Sequence, residues 1–458
     1  MDKQVIMICL EKLDIGGVET AVVNQVYKFR KLGHEVLVLA KKGVYTETIE
    51  KAGAKFIECE FQLSNVIDTN KIMYMVDIIK DYKVTQIHVH QFPCIPYVLY
   101  ACVITNIPYI SYVHTSYEAF KDESNNNIYN WYINNFPIYK KMFELFFNNA
   151  DAIIAITNFV KEYLINRFKL NSEKIKVIPN SINFDIFSND INKFNTIQKV
   201  MLISRLAKEK IQAIFYAIDF YIKLTNTSDK ECSLIILGDG DKRKEVEEYL
   251  ASRNVKNYKF IGAVNNVSEI MKNVDLVIGE SRCILEAIAM KKIALVTGKY
   301  GIEEFVNISN IQEYINKNFT AIYKKEKNLN ETVKNVLNLS SVNIKEVVEE
   351  NYKYIYQRLN IDNNIFFINR KYINYNYSDF FICMLDAYAI NNNSYNKILS
   401  DKNEYIDFLI RDNKIKENII KENEKEITKI NHELVAIKSG KIYKVIQKTK
   451  LILKRSNR

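Results

Sequence analysis

The sequence predicts an α/β protein in which two doubly wound, Rossmann-like domains stand in tandem before a helical C-terminal extension. Apolar, strand-like runs alternate with segments of helical length, which is typical of a parallel sheet covered by helices on both faces. This alternation pauses at the polar stretch 190–198 and then starts again. We therefore predict four units, at 1–190, 191–340, 341–402 and 403–458.

The first domain opens with the run 4–10, which is apolar after Gln4, as expected of a strand buried on both faces. A helix is predicted over 18–31 and a second strand over 35–40. Further strands are expected at 85–90, 108–114, 152–157 and 175–179. In such sheets ligands bind beyond the carboxyl ends of the strands, so the loops that follow them are candidate binding sites.

The second domain repeats the pattern up to about residue 340. Its predicted strands lie at 199–204, 232–238, 258–262, 275–279 and 293–298. Residues 302–439 contain neither Gly nor Pro, which permits long helices, and a helix is predicted over 344–358. Isoleucine and leucine at heptad-like spacing within 427–437 suggest a coiled coil, and thus a homo-oligomer formed through 403–437.

Composition excludes several classes of protein. The chain has 458 residues, 48% of them hydrophobic, which excludes a disordered protein. No apolar run approaches the roughly 18–20 residues of a membrane span, and the N-terminus is too short and too acidic for a signal peptide. Seven cysteines without a close pair suggest neither a disulfide framework nor a zinc module. These observations predict a cytoplasmic protein.

Much of the net charge of +10 lies in residues 440–458, which hold seven Lys or Arg and no acid. This distribution does not favour a nucleic-acid-binding body. On a helical wheel the apolar side chains of the tail fall together, with Leu451 outside the group: Ile442, Val445, Ile446 and Leu453. The pattern predicts a basic amphipathic helix suited to an anionic membrane surface. An exposed charged tail or an oligomerisation helix is the alternative.

Candidate binding residues of the first domain lie in the loops after its strands. Gly16 and Gly17 between the first strand and helix would let backbone N–H groups approach a phosphate, although a plain turn is the alternative. His88 and His90 share one face of a strand, and His114 ends the next strand. No Cys or acid completes a zinc site with them, so we expect a hydrogen-bonding wall of a cleft rather than core histidines.

In the second domain, Arg205 and Lys210 follow a strand and could clamp a diphosphate, unless they only begin a solvated helix. Gly238 and Gly240 precede a charged helix and would allow a ligand to approach closely. The lone acid between these glycines offers no metal site.

The segment 279–290, GESRCILEAIAM, ends a strand and begins a helix. Glu286 lies in the first turns of this helix, where an acid often stabilises the helix dipole. The same carboxylate could instead accept hydrogen bonds from sugar or ribose hydroxyls.

Taken in order, these segments resemble the retaining glycosyltransferases of family 4, whose GT-B fold has two domains facing a central cleft. The resemblance covers about residues 5–335. Its matching segments are Gly16-Gly17-Val18-Glu19, the strands ending in His90 and His114, Ala150-Asp151, residues 177–183 with Phe187, Ser204-Arg205-Leu206 with Lys210, Gly238-Asp239-Gly240, residues 260–262 and Leu285-Glu286-Ala287.

The resemblance implies a role for each matching position. Gly17 would offer its backbone N–H to the donor diphosphate, and Arg205 and Lys210 would neutralise the leaving diphosphate in place of a metal. Glu286 would hold the ribose hydroxyls, and His114 would line the donor-sugar and acceptor side. The remaining donor-binding candidates are Gly16, Gly238, Gly240, Glu280, Ser281, Arg282 and Leu285. Neither a metal nor a cofactor beyond the nucleotide sugar is expected.

The sequence also departs from the family pattern. The family usually places a second acid eight positions before the helix Glu, where this chain has Ile278. Either Glu280 takes that role, or Ser281 and Arg282 bind the sugar in another way. Segment 301–304 loosely matches a loop near the donor.

The expected function is therefore transfer of a sugar, with retention, from a UDP- or GDP-linked donor to a lipid-linked or saccharide acceptor. Residues 1–190 would form the acceptor side and residues 191–340 the donor side. By analogy, the pathway would be bacterial surface polysaccharide synthesis, such as lipopolysaccharide or capsule, with the enzyme peripherally bound to the inner face of the plasma membrane. A non-catalytic GT-B scaffold or sugar-binding partner, and a nucleotide-sugar epimerase of the same fold, are the alternatives.

Overall fold

The computed structural model describes residues 3–62, 67–114, 137–188, 197–228, 231–264, 266–321 and 329–362. Two Rossmann-like α/β domains account for these residues, as predicted. The aromatic stretch from residue 363, the heptad-like segment and the basic tail lie outside the described residues.

The first domain contains a seven-stranded, fully parallel sheet in the order β3-β2-β1-β4-β5-β6-β7. Its strands are β1 Val5–Lys12, β2 Glu35–Lys41, β3 Lys55–Glu58, β4 Gln86–Val89, β5 Tyr109–Val113, β6 Ala152–Ala155 and β7 Ile175–Val177. Its helices are α1 Gly17–Lys31, α2 Thr46–Lys51, α3 Thr69–Asp81, α4 Ile95–Thr105, α5 Pro137–Asn149 and α6 Asn158–Phe168. The edge strand β3 was not predicted.

The apolar run in β1 explains how this sheet is covered. Residues 6–10 are all buried. Because successive side chains of a strand point to opposite faces, Met7 and Cys9 join one core cluster while Ile6, Ile8 and Leu10 join another. Both faces of the central strand are therefore packed against helices.

The second domain contains a six-stranded sheet in the order β10-β9-β8-β11-β12-β13. Its strands are β8 Lys199–Ile203, β9 Ser233–Leu237, β10 Tyr258–Gly262, β11 Leu276–Gly279, β12 Ile293–Gly298 and β13 Gly301–Phe305. Its helices are α7 Ile211–Thr227, α8 Arg243–Ser252, α9 Val267–Met271, α10 Arg282–Ala289, α11 Ile311–Asn316, α12 Leu329–Leu337 and α13 Ser341–Leu359.

Segment 301–304, which we likened to a loop near the donor, is part of strand β13. β13 pairs antiparallel with β12 at the sheet edge, with Gly298 opposite Gly301. Gly301 has a φ of 136°, which a residue with a side chain rarely adopts, and this freedom lets the chain reverse within two residues. The lack of Gly and Pro in residues 302–439 permits long helices, but the first residues of that range belong to strand β13.

Helix α13 returns the chain to the first domain. Ile344 and Val348 pack in the core of the second domain. Just beyond the helix, Ile361 N–H donates to the carbonyl of Ile182 at 3.0 Å. Asp362 then forms an ion pair with Lys28 of α1. Among the described residues, no helix combines the length and the apolarity needed to cross a membrane.

Candidate active site between the domains

The loops after β1 and β11 face each other across the boundary between the domains. A Cβ at Gly17, the first residue of α1, would lie 3.4 Å from Cδ of Arg282 in α10. The same arginine donates from Nη1 to the carbonyl of Ser181 at 3.2 Å. Gly17 of the first domain and Arg282 of the second domain therefore lie against each other at the domain boundary.

The glycine turn before α1 lies against a half-buried acid, Glu19 in the first turn of α1, to which sequence reasoning gave no role. A Cβ at Gly16 would lie 2.2 Å from Oε2 of Glu19, so a larger residue there would displace the Glu19 carboxylate. Glu19 accepts a hydrogen bond from Gln91 Nε2 at 3.0 Å, and burial raises the pKa of its carboxyl. Glu19 is therefore held against the turn by a residue that follows β4.

Both cations predicted to clamp a diphosphate already have carboxylate partners. Arg205 forms an exposed ion pair with Glu209. Lys210 forms a less exposed ion pair with Glu280, whose side chain is 13% exposed. A diphosphate that binds here would compete with these carboxylates for the two cations. Glu280, our candidate for the missing sugar-binding acid, contacts Lys210 in the described structure.

Gly238 and Gly240 allow two protein loops to approach each other. A Cβ at Gly238 would lie 1.9 Å from the carbonyl oxygen of Ser204, and one at Gly240 would lie 2.3 Å from that of Leu206. Leu206 N–H also donates to the carbonyl of Asp239 at 3.0 Å. These contacts position the loop that carries Arg205, which is a structural reason for both glycines.

Glu286 and Arg282 are both buried on α10 and form a long ion pair. Glu286 is 7% exposed and Arg282 is 5% exposed. The Nε atom of Arg282 lies 3.8 Å from Oε1 of Glu286. Burial raises the pKa of Glu286 to about 7, against the lowering effect of the arginine charge. The neighbouring Leu285 side chain, in contrast, packs in the hydrophobic core of the second domain.

The three clustered histidines have different surroundings. His88 lies in the core, where its ring meets the Phe29 ring edge-on at 5.2 Å, and burial lowers its pKa to about 3. For His88 the core interpretation is therefore right and the cleft-wall expectation was wrong. His90 and His114 line a cavity of about 130 Å³ at the ends of β4 and β5.

His90 and His114 form a hydrogen-bonded pair. His90 Nδ1 lies 2.9 Å from His114 Nε2, and the His90 ring stacks on Tyr112. Within the described ranges, Nε2 of His90 is buried without a partner. Since a buried N–H seldom lacks an acceptor, we assign the His90 proton to Nδ1, which donates to His114. His114 then carries its proton on Nδ1, and burial followed by the Arg282 charge lowers its pKa to about 4.

A chain of side chains continues from His114 across the cleft. Asn180, which hydrogen-bonds His114, donates from Nδ2 to Oδ1 of Asn318 at 2.9 Å. Asn318 in turn donates from Nδ2 to the Ser281 hydroxyl at 2.8 Å. Ser281 has a φ of 61°, a strained value for a residue other than glycine. The network therefore links the histidine pair to the start of α10, and no sequence pattern marked Asn318.

Within the part of the chain that the structure describes, no group of three or more His, Cys, Asp or Glu side chains could hold a metal ion.

Comparisons with known proteins match this two-domain arrangement. Residues 15–186 match the family model described as Glycosyltransferase Family 4, and residues 197–338 match the model described as Glycosyl transferases group 1. A UDP-Gal:alpha-D-GlcNAc-diphosphoundecaprenol alpha-1,3-galactosyltransferase from Escherichia coli is 23% identical over 248 residues. The match covers 49% of this chain and only 60% of that relative.

Solved structures share the fold. Anabaena HepE in complex with UDP and glucose superposes with a TM-score of 0.57 at 16% identity, covering 79% of this chain and 96% of that one. A point mutant of S. aureus TarM, in complex with fondaparinux, alpha-GlcNAc-glycerol and UDP, gives a TM-score of 0.58 at 14% identity, covering 79% of this chain and 98% of that one. At these identities the likeness establishes the GT-B arrangement of the two domains.

Proposed function

We propose that this chain, whose two domains each match a glycosyltransferase family model, transfers a sugar from a UDP-linked donor to a lipid-linked or saccharide acceptor with retention of configuration. The main support for the proposal is that Gly17 lies against Arg282 at the start of α10, next to the Lys210–Glu280 ion pair. The family models and the galactosyltransferase relative support the reaction class. UDP is preferred over GDP because that relative and two structural neighbours are named with UDP.

In this proposal the donor diphosphate binds between the two domains. Lys210 and Arg205 exchange Glu280 and Glu209 for phosphate oxygens, while the N–H of Gly17 approaches from the first domain. The two cations then stabilise the negative charge that develops on the diphosphate as it leaves, the role that a metal ion has in other enzymes. Metal independence is part of the proposal.

Glu286 and His114 bind the remaining parts of the donor. The buried carboxylate of Glu286 accepts hydrogen bonds from the ribose hydroxyls. The low pKa of His114 keeps its imidazole neutral at pH 7, so it acts on the sugar through hydrogen bonds and not as a cation. Closure of the cleft around the donor would exclude the water that otherwise hydrolyses it.

Thermal unfolding with a panel of nucleotides tests the donor site. UDP, GDP, ADP, CMP and their sugar conjugates would be added in the presence of EDTA. We expect UDP and UDP-sugars to stabilise the protein, by about 2.7 kcal/mol at about 100 times Kd. If only a nucleotide with another base stabilises the protein, the donor is linked to that nucleotide and not to UDP. A requirement for added metal would contradict metal independence. No shift with any nucleotide would contradict a donor site in the free protein and favour a non-catalytic scaffold.

The basic segment 440–458 supports a further part of the proposal, namely that the enzyme works at the inner face of the plasma membrane in surface polysaccharide synthesis. We expect the full-length protein to sediment with vesicles that contain anionic lipids. Leu453→Asp should prevent sedimentation because it places a charge on the predicted apolar face, whereas Leu451→Asp, outside that face, should not. Equal sedimentation of both variants would contradict a membrane-binding amphipathic helix.

A further inference from the structure

The cleft contains a buried guanidinium group with unused hydrogen-bonding capacity. Arg282 is 5% exposed, and its Nη1 donates to the Ser181 carbonyl at 3.2 Å. Its Nε and Nη2 have no hydrogen-bond partner among the residues the structure describes. Glu286 Oε1, at 3.8 Å from Nε, is too far for a hydrogen bond. Because buried charged donors without acceptors destabilise a protein, this arrangement suggests a partner that arrives with a ligand.

The two unused donors have the geometry of an anion fork. Nε–H and one N–H of Nη2 lie side by side on one edge of a planar guanidinium. This edge can bind two oxygens of a carboxylate or a phosphate at once. A single neutral hydroxyl would leave one of the two donors unsatisfied, so an oxyanion is the better match.

The surroundings of Arg282 also favour an anion. Arg282 is the first residue of the eight-residue helix α10, where the positive end of the helix dipole disfavours a cation unless an anion is near. The preceding Ser281 makes no capping hydrogen bond to α10; its hydroxyl is bound by Asn318. Glu286 compensates the arginine only in part, since burial raises the pKa of its carboxyl to about 7.

Arg282 lies between the two ends of the proposed donor site. Its Cδ packs 3.4 Å from the Gly17 Cβ position, on the diphosphate side. Its charge is also near enough to His114, on the sugar side, to lower the pKa of that histidine. Lys210 is engaged by Glu280, and Glu19 is held by Gln91 on the Gly16 side of the turn.

We propose that Arg282 is a receptor for one oxyanion of the bound donor, additional to Arg205 and Lys210. This inference rests on the proposed function. The oxyanion is either a phosphate group of the diphosphate or a carboxylate on the transferred sugar, as in a uronic acid, and both would occupy the same Nε–Nη2 fork. Arg282 thus supplies positive charge in the segment where the family pattern leads one to expect an acid.

Binding affinities of four probes without metal would test this receptor: inorganic pyrophosphate, UDP, UDP-glucose and UDP-glucuronic acid. They would be measured for the wild-type protein, Arg282→Gln and Arg282→Lys. If the oxyanion is a phosphate, Arg282→Gln should weaken all four probes at least tenfold. If it is a carboxylate, the wild type should prefer UDP-glucuronic acid to UDP-glucose, and Arg282→Gln should abolish only that preference. Arg282→Lys should recover part of the loss, because it keeps the charge without the fork.

Arg253→Gln, a change at an exposed arginine in the turn after α8, is the matched control and should leave all four affinities unchanged. Melting curves without ligand would show whether each variant is folded. If Arg282→Gln is not folded, the affinities of Arg282→Lys are compared with the wild type instead. If folded Arg282→Gln binds all four probes within twofold of the wild-type affinities, the receptor is overturned. If the wild-type protein binds pyrophosphate but none of the UDP compounds, the UDP donor is rejected. The role of Arg282 is then tested by comparing the pyrophosphate affinities of the wild type and Arg282→Gln. Binding of none of the four would overturn both proposals.

Discussion

Replacing Lys210 by Ala should lower kcat/KM for the UDP-sugar by about 100-fold, or about 2.7 kcal/mol of transition-state stabilisation. The ammonium group of Lys210 lies beside Glu280 at the cleft and is proposed to take a phosphate oxygen in its place. The positive charge of Lys210 then stabilises the transition state most strongly, because negative charge builds up on the diphosphate as it leaves. Removing the lysine also leaves Glu280 unpaired and repelling the donor.

The matched control for this variant is Lys208→Ala, since Lys208 lies two residues away and is exposed. It should retain full activity. Because Lys210 is itself partly exposed, its ion pair should add no more than about 1 kcal/mol to the free energy of unfolding. A loss of activity that only parallels a loss of folded protein would contradict a role in the reaction. So would equal effects of the two lysine variants.

Glu286→Ala should reduce kcat/KM by about 100-fold or more, because the buried carboxylate is proposed to accept hydrogen bonds from the ribose and alanine offers no acceptor in its place. The ionised form accepts on both oxygens, whereas protonation turns one oxygen into a donor and weakens binding of the two hydroxyls. Since burial raises the pKa of Glu286 to about 7, wild-type activity should fall as the pH drops below 7. The variant Glu286→Gln should lose most of the activity and also lose this limb of the pH profile. Unchanged turnover of the cognate donor by Glu286→Ala would show that our assignment of this residue is wrong.

The same carboxyl gives an independent measurement on the protein without ligand. Its pKa is about 7 when folded, against an ordinary value of 4.5, so the folded protein binds more protons than the unfolded protein between these values. The stabilisation from the neutral carboxyl is therefore complete below about pH 4.5 and is lost as the pH rises through 7. Urea unfolding of wild type and Glu286→Gln should diverge over this interval. Parallel curves would mean that Glu286 is not buried as described.

Much of the fold could be predicted from the sequence because buried parallel strands have a local signature. The runs around β1, β8 and β12 are continuously apolar. A parallel strand that is buried on both faces needs apolar side chains whichever strands lie beside it. The two strands that were missed lie at sheet edges. β3 has four residues with charged ends, and β13 carries adjacent acids, so neither shows an apolar run. Their assignment depends on the neighbouring strand that supplies their hydrogen bonds.

The sequence by itself determined the two domains, the loops that follow their strands, and the candidates Gly17, Arg205, Lys210 and Glu286. Only the tertiary structure decided what these side chains contact. Lys210 meets Glu280 across 70 residues, Arg282 meets Ser181 across 101, and Asn180 meets Asn318 across 138. Such partners are fixed by how loops of separate strands and two domains pack together. Contacts of this kind impose no period on the chain, so composition and spacing cannot reveal them.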